Sequence, residues 1–145
     1  MGLDMYLNAR RFLWHTEDDI SKKISENFPE IGNKRVKEIT AEAGYWRKAN
    51  AIHKWFVDNV QEGTDDCGTY EVTTDKLKEL LDVIEQVLAD KNKAGKLLPT
   101  QGGFFFGQTD YDEYYIDELQ YTKEIITDIL KGDWKGWYFE YHSSW

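Results

Sequence analysis

The stretch Gly44-Tyr-Trp-Arg-Lys-Ala-Asn-Ala-Ile-His-Lys-Trp-Phe56 holds two of the six tryptophans and one of the three histidines. Gly44 interrupts the preceding pattern, and apolar residues then recur at helical spacing, which predicts a helix over 45–60. At about 100° per residue, one arc contains Tyr45, Trp46, Ala49, Ile52, His53, Phe56, Val57 and Val60. Asn50 lies at the edge of this arc, and Arg47 and Lys54 lie opposite. We expect this helix to be the packing spine of the domain.

The polar residues of this helix allow two interpretations of its inward face. His53 is either a core histidine with a hydrogen-bonded ring or part of a cavity wall between helix and sheet. In such a cavity His53 and Asn50 would bind the polar edge of a ligand, and Trp46 would stack on it. Arg47 and Lys54 are either a solvated basic strip or contacts to an anion or an acidic partner.

Both ends of the chain read as strands. Leu3, Met5 and Leu7 alternate with polar residues, which is typical of a half-buried strand. Further strands are predicted at 36–43, 70–72 and 137–141. Helices are predicted at 18–27, from about 75 after a Thr73 or Thr74 cap to a stop at Gly95, and from Asp110 to Gly132. The chain is therefore predicted to be one α+β domain over 1–145. A small antiparallel sheet, in which the N- and C-terminal strands pair, packs against about three helices.

Acidic residues are concentrated in the second half of the chain. Residues 1–60 carry ten Lys/Arg and nine Asp/Glu, whereas residues 61–145 carry eight and eighteen, and the net charge is −9. This balance argues against a binder of long nucleic acid, which needs a basic patch. It fits a solvated surface, attraction to a basic partner, or mimicry of nucleic acid. A single cysteine, no apolar leader and no apolar membrane span favour a cytoplasmic protein.

Motifs for metal binding or covalent catalysis do not occur in the sequence. The three histidines are isolated, and Asp65-Asp66-Cys67-Gly68 lacks the spaced ligands of a calcium loop and reads as a polar turn. No Gly-x-Ser-x-Gly elbow occurs. The sequence therefore predicts no metal, no cofactor and no catalytic residue, and it favours a protein that is not an enzyme.

The segment Gln101-Gly-Gly-Phe-Phe-Phe-Gly-Gln108 is the second unusual feature. Gly102 and Gly103 permit close approach of a backbone to a ligand. In an extended segment Phe104 and Phe106 would share one face if Phe105 faced the core. Thirteen of the 22 aromatic residues follow residue 102. They form either an aromatic core or a platform that stacks a base or sugar, or binds a protein.

Several motifs together resemble a family of small proteins encoded by bacteriophages and prophages. These motifs are GLDMYL at 2–7, GYWRKANAIHKWF at 44–56, DDCG at 65–68, LLPTQGGFFFG at 97–107 and the terminal Ser143-Ser144-Trp145. The resemblance covers the chain except about residues 16–35. It implies an accessory protein in the cytoplasm of a bacterial host. Such accessory proteins include inhibitors of host defence, which bind a defence protein, mimic DNA or sequester a nucleotide signal.

These observations favour a protein that sequesters a small nucleotide-like ligand. The base would stack on Trp46, Phe104, Phe106 and Tyr114, and the phosphate would contact Arg47, Lys54 and Arg11. The polar edge of the ligand would contact Asn50, His53 and Gln101. The backbone of Gly102 and Gly103 would lie beside the ligand. One alternative is an acidic inhibitor, or DNA mimic, that binds a host defence protein. Another is a nucleotide-processing enzyme. The sequence is compatible with a homo-oligomer. Neither long nucleic acid nor a membrane is expected as a partner.

Overall fold

A four-stranded antiparallel sheet forms one layer of the protein, in the strand order β2-β1-β4-β3. The computed structural model describes residues 2–145. The strands are β1 (Asp4–Phe12), β2 (Glu38–Arg47), β3 (Thr69–Val72) and β4 (Tyr138–Ser144). Met5 and Leu7 of β1, and Leu3 just before it, point to the core and are fully buried, because successive side chains alternate between the two faces. The predicted α+β class and the predicted pairing of the first and last strands are confirmed.

Helices form the second layer. They are α2 (Asn50–Asn59), α3 (Thr74–Ala89), the single turn α4 (Ala94–Leu97) and α5 (Glu113–Lys131), whereas α1 (Asp18–Asn27) contributes no residue to the hydrophobic core. The buried faces of α3 and α5 carry Leu77, Ile84, Leu119 and Ile126, which pack into the same hydrophobic core as the buried residues of the sheet. None of the helices in the described part of the chain has the length and apolarity needed to cross a bilayer.

Local signals placed several helix ends correctly. The bounds of α1 agree with the prediction, the Thr73 hydroxyl accepts a hydrogen bond from the Lys76 N–H at 3.2 Å, and α5 ends before Gly132. Two expectations were wrong. Gly95 does not stop α3, which ends at Ala89, and α5 begins at Glu113 because Asp112, not Asp110, caps it.

The predicted helix over 45–60 was wrong in its first turn. Strand β2 continues through Gly44 to Arg47, and α2 begins only at Asn50. Tyr45 and Trp46 are aromatic residues that also suit a strand, where Trp46 pairs with Met5 and points to the core. Lys48 then adopts a left-handed φ of 59° that turns the chain from strand into helix.

Gly44 supports close packing rather than ending an element. A Cβ atom at this position would lie 3.0 Å from Cη2 of Trp46 and 3.1 Å from Cγ2 of Ile125 on α5. The β1–β2 register also shifts between Leu7 and Asn8, directly opposite Gly44. The missing side chain therefore lets α5 pack close to the sheet beside the Trp46 ring.

We expect Gly44→Ala to lower the free energy of unfolding by about 1–2 kcal/mol, because the added methyl group overpacks the Trp46–Ile125 contact. Gly102→Ala is the matched control, since its Cβ would meet no heavy atom closer than 3.8 Å. This control should stay within about 0.5 kcal/mol of the parent protein. Urea denaturation measures both, and equal stabilities for the two variants would contradict the packing role.

Candidate ligand-binding site

A cavity of about 370 Å³ opens at the N-terminal end of α2, where this helix faces the start of α5. Its wall comes from three parts of the chain: the β2–α2 junction, the segment before α5, and the first two turns of α5. The lining residues are Arg47, Lys48, Ala49, Asn50, Ala51, Ile52, Thr100, Gly107, Gln108, Asp110, Asp112, Tyr114, Tyr115, Glu118 and Leu119.

The β2–α2 junction presents the positive end of a helix to this cavity. The Lys48 N–H donates to the Leu3 carbonyl at 2.7 Å, which fixes the turn against the start of β1. Ala51 and Ile52 lie in the first turn of α2, whose N–H groups have no acceptor within the helix. The helix dipole and these N–H groups favour an anion at this end of the cavity.

The Asn50 side chain holds the opposite wall in place. Its Nδ2 donates to the carbonyl oxygens of Phe106 at 3.0 Å and Gln108 at 2.7 Å. Its Oδ1 accepts from the Gln101 N–H at 3.0 Å. Both amide N–H groups are used by the chain itself, so Asn50 positions the segment 101–108 instead of binding the polar edge of a ligand.

Two cations and three carboxyl groups line the cavity. The Arg47 side chain is 56% exposed, and its Nη1 lies 3.6 Å from Oδ1 of Asp4. Lys48 is exposed, and no carboxylate among residues 2–145 forms an ion pair with it. Asp110 and Asp112 face the same space, and Asp112 is already engaged in capping α5.

Glu118 is the third carboxyl group of the cavity. It is half-buried, and no hydrogen bond to its carboxyl group comes from any residue in 2–145. Burial first, and the charge of Asp117 second, raise its pKa from 4.5 to about 7. Near neutral pH this side chain can therefore be either an anion or a neutral acid.

The structure places His53 in the core, away from the cavity. Its Nδ1 lies 2.6 Å from the Tyr141 hydroxyl and its Nε2 lies 2.9 Å from Oδ2 of Asp65. Burial holds the pKa of Tyr141 well above its usual range, so the hydroxyl keeps its proton and donates to Nδ1. Nε2 then carries the ring proton and donates to Asp65, which also accepts from Nε1 of Trp145 at 3.1 Å.

The other aromatic residues expected to stack are dispersed. Trp46 is buried and its Nε1 donates to the Thr122 hydroxyl at 2.9 Å. The expectation of an extended segment at 101–108 was wrong, since the Phe106 N–H donates to the Gly103 carbonyl at 3.1 Å in a turn. Phe106 consequently packs against His53 in the core, whereas Phe104 is 94% exposed.

Three of the twelve residues predicted for a site line the cavity, namely Arg47, Asn50 and Tyr114. Lys54 instead pairs with Asp58 at 2.7 Å, and Arg11 pairs with Glu17 at 2.5 Å. The remaining residues, Trp46, His53, Gln101, Gly102, Gly103, Phe104 and Phe106, lie outside the cavity lining.

Sequence reasoning missed Lys48 and Glu118. Lys48 follows Arg47 directly at the strand–helix junction, and both line the cavity. Glu118 lies four residues after Tyr114, so these two share a face of α5. Within residues 2–145, no three His, Cys, Asp or Glu side chains converge in a way that could hold a metal ion.

Comparisons with known proteins identify no relative of this chain. No protein-family model, no curated protein and no solved structure matches the chain.

We expect Asn50→Ala to lower the free energy of unfolding by about 2–4 kcal/mol, since it removes three hydrogen bonds to backbone groups of segment 101–108. Hydrogen exchange at the Gln101 N–H should become faster, because this group loses its acceptor. Asn59→Ala, which removes a single amide contact to the Trp55 carbonyl, is the control. Unchanged exchange at Gln101 would show that Asn50 does not hold the segment.

Glu118 should make stability depend on pH. The folded protein keeps this proton up to about pH 7, whereas the unfolded chain releases it near 4.5. The contribution of Glu118 to the free energy of unfolding therefore falls as pH rises through this window, and the loss is complete above pH 7.

We therefore expect the difference in free energy of unfolding between Glu118→Gln and the parent protein to change with pH. It should be about 2–3 kcal/mol more favourable to Glu118→Gln at about pH 8 than at about pH 4. Urea denaturation at both pH values measures this difference. Glu124→Gln, an exposed change on the same helix, is the control. A Glu118→Gln difference that is the same at both pH values would rule out the raised pKa.

Proposed function

We propose that this protein binds a small nucleotide-like anion in the cavity between α2 and α5. The single observation that carries the proposal is the composition of the cavity wall. The α2 N-terminus, Arg47 and Lys48 line one part of the cavity, and Tyr114 lines another. A nucleotide likewise has a negatively charged part, the phosphate, and an aromatic part, the base.

The phosphate would bind at the β2–α2 junction. N–H groups of the first helical turn offer hydrogen bonds that suit a phosphate, and the helix dipole adds attraction. Arg47 and Lys48 supply charge-assisted hydrogen bonds from side chains that are largely exposed. Lys54 and Arg11, which were also predicted to contact phosphate, pair with Asp58 and Glu17 outside the cavity.

The base would stack on Tyr114. This ring is 74% exposed while lining the cavity, so it offers an apolar face at the mouth. Stacking on an aromatic side chain contributes about 1–3 kcal/mol per base. The cavity of about 370 Å³ lies at the lower end of the range for small-molecule sites, about 300–1,000 Å³. One nucleotide unit suits this volume better than a polymer.

The biological role that we propose is sequestration of a nucleotide signal. It rests on the resemblance of the GYWRKANAIHKWF and LLPTQGGFFFG motifs to phage and prophage proteins. A protein of this class would act in the cytoplasm of the infected bacterium and would release its ligand unchanged. It would counter host defence by lowering the concentration of free ligand.

A second candidate function is inhibition of a host defence protein through an acidic, aromatic surface. The surface around the start of α5 exposes Tyr111, Tyr114 and Tyr121 next to Glu113 and Asp117. Exposed aromatic side chains are common anchors of protein interfaces. Charge reversal at Glu113, which does not line the cavity, separates the two functions, since it should weaken capture of a protein partner and leave nucleotide binding in the cavity.

The proposal predicts that the 3′,5′-cyclic mononucleotides or the corresponding ribonucleoside monophosphates raise the melting temperature of the protein. A ligand at 100 times its dissociation constant stabilises the folded state by about 2.7 kcal/mol. Lys48→Gln should weaken binding about tenfold, because it removes a cation from the phosphate end. The control is Lys54→Gln, which changes a lysine that is paired with Asp58 outside the cavity.

Recovery of the bound compound after incubation distinguishes binding from catalysis. Unchanged nucleotide is the expected result, whereas a converted product would indicate a nucleotide-processing enzyme. If no member of either nucleotide series stabilises the protein, the proposed function is wrong.

A further inference from the structure

We infer that the ligand in the cavity carries a single negative charge, as a phosphodiester does, and that acidic residues on the facing wall exclude nucleoside di- and triphosphates. The inference rests on the proposed function and names the class of nucleotide that the site takes. It also assigns Asp110 a role, as a specificity-determining residue that selects against further phosphate groups.

Positive side chains are confined to one end of the cavity. Of the lining residues within 2–145, only Arg47 and Lys48 are cationic, and both lie at the β2–α2 junction. The charge of Arg47 is partly offset by Asp4, whose Oδ1 lies 3.6 Å from Nη1. The N-terminus of α2 adds about half an elementary charge. These charges match one phosphodiester and leave little for a second phosphate group.

The facing wall has the opposite charge. Residues 97–122 include no lysine or arginine, and their five acidic residues are Asp110, Asp112, Glu113, Asp117 and Glu118. Asp110, Asp112 and Glu118 line the cavity, and we call these three residues the acidic wall. Asp110 is exposed, and no cation within residues 2–145 forms an ion pair with it. Its charge is therefore directed at whatever enters the cavity.

The N-terminus of α5 also faces the cavity, but it is not free to bind an anion. Oδ1 of Asp112 accepts from the Tyr115 N–H at 3.1 Å and so occupies this helix end. A phosphate chain that extended from the β2–α2 junction toward α5 would meet carboxylates in place of free N–H groups. In water, two like charges in close contact weaken binding by about fivefold.

The charge of the whole chain acts in the same direction. The net charge is −9, and residues 61–145 carry eighteen Asp/Glu against eight Lys/Arg. A negative field repels an anion in proportion to the charge of that anion. The cations at the β2–α2 junction can therefore hold a singly charged ligand, whereas a triphosphate meets several times the repulsion.

Exclusion of triphosphates suits a protein that sequesters a nucleotide signal. ATP and GTP share their base and ribose with the cyclic mononucleotides, and they would compete for the same stacking position. Discrimination between such similar ligands can come from repulsive contacts as well as from attractive ones. The acidic wall would keep the cavity free for the less highly charged ligand.

The test is calorimetric titration of the full chain at about pH 8 and low salt with two matched series. Each series, of adenosine or guanosine, contains the 3′,5′-cyclic monophosphate, the 5′-monophosphate and the 5′-triphosphate. A phosphate monoester carries nearly two charges at this pH, because its second pKa is about 6. We expect the cyclic compound to bind at least about tenfold more tightly than the triphosphate, with the monophosphate between them.

Asp110→Asn tests the role of the acidic wall. It should strengthen triphosphate binding about fivefold and change binding of the cyclic compound by about twofold or less, because the repulsion that it removes grows with ligand charge. Raising the salt concentration from about 20 to 500 mM should also narrow the preference, since it screens exposed charges. Asp19→Asn, an exposed change on α1 outside the cavity, is the control and should leave the preference unchanged.

The titrations are made in EDTA and repeated with Mg²⁺, which lowers the charge of a triphosphate. If a triphosphate then binds more tightly than the cyclic compound, the acidic wall holds a metal–nucleotide complex and the inference is wrong.

The remaining outcomes separate this inference from the proposed function. If no cyclic nucleotide and no monophosphate binds, the proposed function is wrong, and this inference with it. If the triphosphates bind in EDTA as tightly as the cyclic compounds, the proposed function stands and the inference is wrong. If the triphosphates are rejected but neither Asp110→Asn nor salt changes the rejection, the size of the cavity excludes them and the acidic wall does not.

Discussion

Three hydrogen bonds from one buried amide, that of Asn50, join the start of α2 to a segment more than fifty residues later in the chain. Without them, the backbone groups of Gln101, Phe106 and Gln108 would have no common anchor. The amide uses both its donors and one acceptor site on main-chain atoms, and the buried Phe106 ring anchors the same segment beside His53. The cavity wall opposite the helix terminus exists because this segment is held there.

The first strand and several helix ends could be predicted, because burial imposes a period of two on β1 and because cap residues mark helix ends. The 44–56 stretch was harder to interpret, since its aromatic residues suit both a strand and a helix. Its conformation depends on tertiary packing: Trp46 pairs with Met5, and the missing side chain of Gly44 makes room for Ile125. No periodicity within thirteen residues contains that information.

The candidate site was less predictable than the fold, because residue chemistry alone does not show which side chains are already occupied. His53 and Trp46 have the groups of a binding site, yet Tyr141, Asp65 and Thr122 use those groups inside the core. No motif or spacing in the sequence marks Lys48 or Glu118 as a candidate binding residue. They became candidates because the strand–helix junction and α5 bring them to one cavity and leave them without partners in the described chain.

The position of β4 in the sheet has a consequence for how the protein is made. This strand lies between β1 and β3, and the Tyr141 hydroxyl on it bonds to His53 of α2. During synthesis the chain emerges from its N-terminus, so α2 waits for a strand whose Tyr141 follows His53 by 88 residues, and β1 waits longer still. Contacts this distant in sequence slow folding. The core therefore closes after the ribosome has added β4, and until then the nascent chain presents a sheet edge and apolar surface, the features that make incomplete chains prone to aggregation.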